Sequence, residues 1–267
     1  MAHIDLLNLS MASVASICVM LLIAGATKGL IGIGMPIIAV PLLNLVVDLP
    51  ATVALLSIPL IIANLPQAFT GEKASAVLSR LLPLLCGLAL GIVGGVYLLT
   101  SVRADLLKGV VGIILIGIVF LMFFAPHFTV PKEQEKFLGP LVGMIGGVLG
   151  GLAALPGPLV FVYILALGFS NDRFVQYSSM FLVIAATLMA ITLGSIGALG
   201  WVDLLGSILA AVPIFIGMKF GTRLRTFVSP SLFRRIILGV VMISGIHMIS
   251  GPVTVSIASV LHQSTSR

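Results

Sequence analysis

Lys28 stands alone as a cation inside a long apolar stretch, and the chain just beyond it reads Gly32-Ile33-Gly34-Met35-Pro36. Those residue types suit the capture of an anion. Proline fits the first turn of a helix, and glycine lets the backbone come close. The start of a helix offers unpaired N–H groups and about half a positive charge. A buried ammonium would add a full charge. The pattern occurs twice. GATKGLIGIGMPIIAVPLL runs from Gly25 to Leu43, and GVLGGLAALPGPLVFVYIL runs from Gly147 to Leu165. In the second copy Gly150 and Gly151 precede the break as Gly32 and Gly34 do in the first, and Pro158 suits a helix start as Pro36 does.

Polar side chains follow each copy. The segment 51–69 offers Ser57, Asn64 and Gln67, and the segment 174–197 offers Gln176, Ser178, Ser179 and Thr187. Aligning Pro36 with Pro158 sets Ser57 opposite Ser179. The candidate binding set is therefore Lys28, Gly32, Gly34, Pro36, Ser57, Asn64, Gly151, Pro156, Gly157, Pro158, Gln176 and Ser179, with residues 28–36 and 150–158 expected to meet. Each has a plainer role open to it. Lys28 can snorkel or cap a helix end, the glycines can pack helices, and the hydroxyls and amides can bond between helices. Gly91, Gly95, Gly217 and Gly221 read as packing glycines, and Tyr163 as a packed aromatic.

Other chemistry is missing from the pattern. All eight carboxylates (Asp5, Asp48, Glu72, Asp105, Glu133, Glu135, Asp172 and Asp203) fall in tails, loops or helix ends. Carriers of protons or sodium commonly bury carboxylates in mid-span. The four histidines, His3, His127, His247 and His262, are scattered without ligand spacing. His247 alone lies in an apolar span, where a neutral packed imidazole is the reading. No nucleophile–base set and no metal cluster are legible. The expectation is a non-enzyme without metal or cofactor, whose partners are a small anion, the lipid bilayer and, in one version, a second copy of the chain.

Composition says what must position these groups. Of the 267 residues 60% are hydrophobic and 8% charged, against about 25% charged in a soluble domain. Mean hydropathy is +1.28. This is a polytopic membrane protein. Its net charge of +6 sits in short loops, so it reports topology and not nucleic-acid binding. Cys18 and Cys86 lie in apolar spans and form no disulfide framework. Residues 1–24 lack Lys and Arg and contain Asp5, which argues against a cleaved signal.

Charges and breakers delimit apolar segments at 9–47, 51–69, 77–100, 106–125, 137–169, 174–197, 203–218 and 232–250. The first and fifth would be about 60 Å and about 50 Å long as single helices, against a hydrocarbon core of about 30 Å. Each therefore holds two helical pieces joined at its Gly/Pro break. GIVGGVYLLTSVRADLLKGV from Gly91 also resembles GMKFGTRLRTFVSPSLFRRI from Gly217. The unit is one broken segment plus three helices, used twice: residues 1–125, a linker at 126–136, and residues 137–267.

Two topologies compete. If the broken segments cross the membrane, the halves are parallel and the loop cations divide eight to five. If they are re-entrant hairpins, the halves are inverted. Lys73, Arg80, Lys132, Lys136, Arg173, Lys219, Arg223, Arg225, Arg234 and Arg235 then share one side, opposite Arg103, Lys108 and Arg267. Ten against three is the cleaner positive-inside signal. The expected fold is all-α, two inverted repeats with both termini outside the inner membrane.

GLIGIGMPIIAVPLL, its second copy and FGTRLRTFVSPSLFRRIILGVVMISG together resemble the TauE/SafE sulfite-exporter family over nearly the whole chain. The resemblance implies transport of sulfur-containing anions: sulfite, sulfonates such as sulfoacetate, or related organic acids. It places the family's glycine-rich motif on Gly29, Gly32, Gly34 and Pro41, and the counterpart on Gly151, Pro156, Gly157 and Pro158. Two departures bear on substrate choice. The glycine run is thinned at 32–36, and Ala153-Ala154-Leu155 stands where more glycine would be expected. The expected activity is export of a small sulfur oxyanion by alternating access, through a midplane anion site formed by the paired broken helices. An anion channel, or a carrier for other small organic acids, is the alternative, and a membrane-embedded enzyme is disfavoured.

Overall fold

The computed structural model describes residues 10–32, 34–124 and 129–224, with the isolated positions 239, 242, 243 and 246. These residues form helices: α1 (Met11–Ile31), α2 (Met35–Leu43), α3 (Leu49–Ala68), α4 (Ala74–Ser101), α5 (Ala104–Phe124), α6 (Lys132–Ala153), α7 (Gly157–Ala166), α8 (Asn171–Ser195) and α9 (Trp201–Leu224). Six of them, α1, α3, α4, α6, α8 and α9, are long and apolar enough to cross a bilayer. The described secondary structure is all helical, and the protein is a multi-pass membrane protein.

Local sequence sets the helix ends. Ser10 accepts from Ser13 N–H at 3.1 Å and Asp48 from Ala51 N–H at 2.9 Å, so each satisfies a donor at its helix start. α1 ends where Gly32 turns left-handed at φ 90°, and Gly34, at φ 94°, opens α2. Pro36 and Pro158 each stand at the second position of their short helix, where a missing N–H costs nothing.

Both long segments do break at their Gly/Pro runs, but into unequal arms. α1 has 21 residues against nine in α2, and α6 has 22 against ten in α7. The long arms, about 31–33 Å, are crossing length by themselves. The second break also falls later than the glycines suggest. Gly150 and Gly151 lie inside α6, and the chain turns at Ala154, Leu155 and Pro156.

Two glycine seams hold the bundle. On α4, Gly87, Gly91 and Gly95 face Gly143, Gly147 and Gly151 of α6. A Cβ on Gly91 would overlap the Met144 carbonyl, and one on Gly147 the Leu88 carbonyl. On α1, Gly25 and Gly29 meet the Ile214 and Met218 carbonyls of α9, while Gly217 and Gly221 meet Leu22 and Ala26. Lipid supplies no hydrophobic drive between helices, so close backbone approach must supply the dispersion. Residue numbers rise together along both seams. Hence α4 runs parallel to α6, and α1 parallel to α9.

The remaining directions follow from side-chain contacts. Val14, Ile17 and Leu21 share a groove with Val47, Ala51 and Leu55, while Lys28 reaches Asn64 and Gln67, so α1 and α3 are parallel. Gln67 meets Ser179 and Ala68 meets Gln176, so α3 and α8 are antiparallel. The starts of α4, α6 and α8 therefore share one end of the bundle with the C-terminal ends of α3 and α9. Lys73, Arg80, Lys132, Lys136, Arg173, Lys219 and Arg223 all fall there, and Arg103 falls at the other. Each broken segment also doubles back. Val47 has returned beside Val14, and Tyr163 Oη donates to Glu135 O at 3.2 Å while Val130 N–H donates to Ala166 O at 2.9 Å.

Candidate functional site

Lys28 is 2% exposed, on the last full turn of α1. Its Nζ donates to Asn64 Oδ1 at 2.6 Å, Gln67 Oε1 at 3.2 Å and Gly32 O at 3.4 Å. All three acceptors are neutral. No carboxylate among the described residues pairs with it. Burying an ammonium requires compensation, and here the compensation is dipolar only.

The backbone explains why these acceptors face the ammonium. The left-handed turn at Gly32 brings its N–H back to Lys28 O at 2.7 Å and leaves its own carbonyl beside Nζ. Asn64 is 1% exposed, and its Nδ2 donates to Leu60 O at 2.7 Å, so Oδ1 points at the lysine. Gln67 Oε1 takes a second donor, the buried Ser179 hydroxyl of α8, at 3.1 Å. Two donors from two different helices thus converge on one oxygen.

Above this cluster opens a cleft of about 720 Å³ at the cation-rich end of the bundle. Gly32, Gln67, Glu72, Asp172, Arg173 and Gln176 line it. Gln176 clamps the α3–α4 turn. Its Oε1 accepts from Glu72 N–H at 2.9 Å, and its Nε2 donates to Glu72 O at 2.8 Å and Ala68 O at 3.5 Å. Gly71 sits at φ 100°, where a Cβ would come within 2.9 Å of Gln176 Oε1. Glu72 also pairs with Arg173 Nε at 2.6 Å and accepts from Tyr177 Oη at 3.0 Å.

Of the twelve residues singled out in the sequence, Lys28, Gly32, Asn64, Gln176 and Ser179 are thus brought to one place, with Gln67 between them. Gly34 and Pro36 flank the turn as the start of α2. That helix start is poor in free donors, because Pro36 has no N–H and Ile37 N–H already donates to Gly34 O at 3.1 Å.

Ser57 is placed elsewhere, about 10 Å along α3 from Asn64. Its hydroxyl donates to Ala54 O at 2.8 Å and lies 3.4 Å from Ser207 Oγ on α9. Gly151 packs on Ile92 of α4, and Gly157 lies under the Phe161 ring. Pro156 caps α7 and Pro158 opens it. Ala153, Ala154 and Leu155 are fully buried, so this second break is dry. The two breaks do not meet as expected: Gly29, just before the first, packs on Met218 at the C-terminal end of α9, whereas Gly151, just before the second, packs on Ile92 and Val96 toward the other end of the bundle, because α1 and α6 run in opposite directions. Ser178 Oγ is buried without a hydrogen-bond partner among the described residues. His247 and the basic run 225–235 lie outside the described residues.

The sequence reading missed several members. Glu72 read only as a loop or helix-end carboxylate and Arg173 only as a topology cation, and Tyr177 was not singled out, because only the fold brings the α3–α4 turn to the start of α8. Ser207 did have a signal. Pro59 cannot donate to Leu55 O, so that carbonyl needs another partner, and Ser207 Oγ fills the role at 2.9 Å. The same hydroxyl accepts from Ile58 N–H at 3.0 Å.

Comparison with known proteins agrees with this picture. Over 164 residues the chain is 26% identical to the probable membrane transporter protein MJ0441 of Methanocaldococcus jannaschii, covering 58% of this chain and 61% of that one. The match thus spans about three fifths of the relative's length. No solved structure matches. Residues 17–248 match the family described as Sulfite exporter TauE/SafE, and the chain belongs to that family of membrane transporters.

Proposed function

We propose that the protein is a secondary transporter that exports a small sulfur oxyanion, sulfite or an organosulfonate such as sulfoacetate, across the inner membrane. The observation that carries this reading is Lys28: a buried ammonium held by three neutral acceptors, behind the Gly32 and Gln67 wall of a cleft, with no carboxylate among the described residues to neutralise it. An anion entering the cleft supplies the missing charge.

The topology we propose is two inverted repeats, each a re-entrant hairpin followed by three crossings. The doubling back of both broken segments and the opposite directions of α3 and α8 support it. The positive-inside rule then puts the cation-rich end in the cytoplasm and both chain termini outside. The cleft faces the cytoplasm, the side from which an exporter loads. An anion leaving a negative-inside cell gains about 2.3 kcal/mol per charge per 100 mV, so export needs no coupling ion.

Alternating access then takes a specific form. The glycine seams join α4 to α6 and α1 to α9, across the chain halves and not within them. The bodies that rock are α1–α3 with α9, and α4 with α6–α8. They meet along α3 and α8, where the Lys28 cluster and the Gln176 clamp lie. Export of sulfite and sulfoacetate from proteoliposomes tests the function. Lys28→Ala should abolish saturable flux, and failure of every such anion to move would sink the reading. An anion channel on the same scaffold would instead show single-channel currents and no counterflow.

A further inference from the structure

We infer that the transported species is a monovalent oxyanion and that the site rejects divalent ones. This rests on the anion-export reading and names the charge state of its substrate. The charged residues that line the cleft are Arg173, Glu72 and Asp172, one cation and two carboxylates, and Lys28 lies buried behind its Gly32 and Gln67 wall. Arg173 is already neutralised by Glu72 at 2.6 Å. Asp172, in the first turn of α8, leaves the mouth with no surplus of positive charge. The neighbouring cation Arg80 is engaged with Glu135 at 2.9 Å and stacked over the Phe169 ring at 4.6 Å. On α9, Lys219 and Arg223 are exposed at the bundle end. Among the described residues, the unneutralised charge nearest the site is Lys28, directly behind the Gly32 and Gln67 wall, and one negative charge balances it. A second would sit beside neutral carbonyls with Asp172 at the mouth repelling it.

The geometry of the donors agrees. Lys28 Nζ and Ser179 Oγ converge on a single acceptor, Gln67 Oε1. A sulfonate or hydrogensulfite oxygen that displaces this amide oxygen inherits both donors, and the ammonium gains its counter-ion. The amide holds the place of one substrate oxygen while the carrier is empty. At the turn of the second hairpin, residues 150–158, there is no cation; its two lysines, Lys132 and Lys136, lie at the far start of α6. The position equivalent to Lys28, counted back from the left-handed cap, is Gly150, and the residues around that turn are apolar.

The test compares anions of fixed charge on the full-length protein in proteoliposomes. Methanesulfonate stays monovalent and sulfate divalent throughout the working range, whereas sulfite changes from one to the other near neutrality. Methanesulfonate should move at least about tenfold faster than sulfate. Sulfite flux should fall as pH is raised through its second ionisation while methanesulfonate flux holds. Gln67→Lys, which adds a cation at the cleft floor, should shift the preference toward sulfate. Sulfate flux equal to that of methanesulfonate, or sulfite flux that rises with its divalent fraction, overturns the charge rule and leaves anion export standing. If none of the three moves, both readings fail together.

Discussion

Gly32 and Ala154 occupy the same left-handed position at the end of the two long hairpin arms, at φ 90° and φ 54°, and each returns its N–H to the residue four before it, Lys28 O and Gly150 O. Alanine pays about 1–2 kcal/mol for that conformation. The turn is therefore compatible with a side chain, and the glycine at 32 is a convenience of conformation, since a Cβ there would meet nothing within 4 Å.

Gly32→Ala should accordingly fold and insert, losing about 1 kcal/mol of stability. Gly147→Ala should do far worse, because its Cβ would strike the Leu88 carbonyl in the α4–α6 seam. Thermal unfolding in detergent would rank the two. Equal losses would mean that the seam is looser than its glycines imply.

At the lysine, Asn64→Asp would place a carboxylate where Asn64 Oδ1 now sits 2.6 Å from Nζ. The substrate's counter-charge would then be built in. We expect anion affinity to fall by about tenfold or more while the protein stays folded, because a buried opposite charge stabilises the ammonium in place. Lys28→Met should lose affinity as well, for the opposite reason. Anion-induced thermal shift would measure both, and unchanged affinity in Asn64→Asp would remove Lys28 from the substrate path.

Much of this architecture is legible in the chain, for reasons that can be named. Glycine and proline in an apolar run have few uses, so the breaks after Ile31 and after Ala153 were foreseeable to within a few residues. Lys28 advertised itself because a cation in such a run must be compensated. The second turn falls a few residues beyond Gly150 and Gly151, because these glycines serve packing inside α6: Gly151 answers to α4 and Gly150 to Pro156. The partners of Lys28 were legible only as types. That Asn64 and Gln67 turn toward it, while Ser57 turns to Ser207, depends on the angular offset of seven residues along α3, which no spacing rule fixes without knowing what packs against each face.

Ser207→Ala tests the joint between α3 and α9. It would orphan the Leu55 carbonyl that Pro59 leaves open and the Ile58 N–H as well. A lost buried partner costs about 1–3 kcal/mol. The variant should lower the unfolding midpoint and leave anion selectivity intact. A change in selectivity without a loss of stability would mean that Ser57 and Ser207 touch the substrate.

The rocking bodies make opposite predictions for two cross-links, in a background where Cys18 and Cys86 have been replaced. Ser57→Cys with Ser207→Cys joins α3 to α9 inside one body, at side chains whose hydroxyls are 3.4 Å apart. Glu72→Cys with Tyr177→Cys, bridged by a short bifunctional thiol reagent, joins the α3–α4 turn to α8 across the moving interface, where the native side chains meet at 3.0 Å. The first bridge should leave transport near the level of the reduced protein. The second should stop turnover yet preserve anion binding from the side onto which the cleft opens, because the cleft is locked open and not destroyed. If the halves of the chain were instead the rigid bodies, α4 would have to slide on α6 and α1 on α9 at every cycle. The first bridge would then block transport as well, because α3 and α9 lie in different halves of the chain.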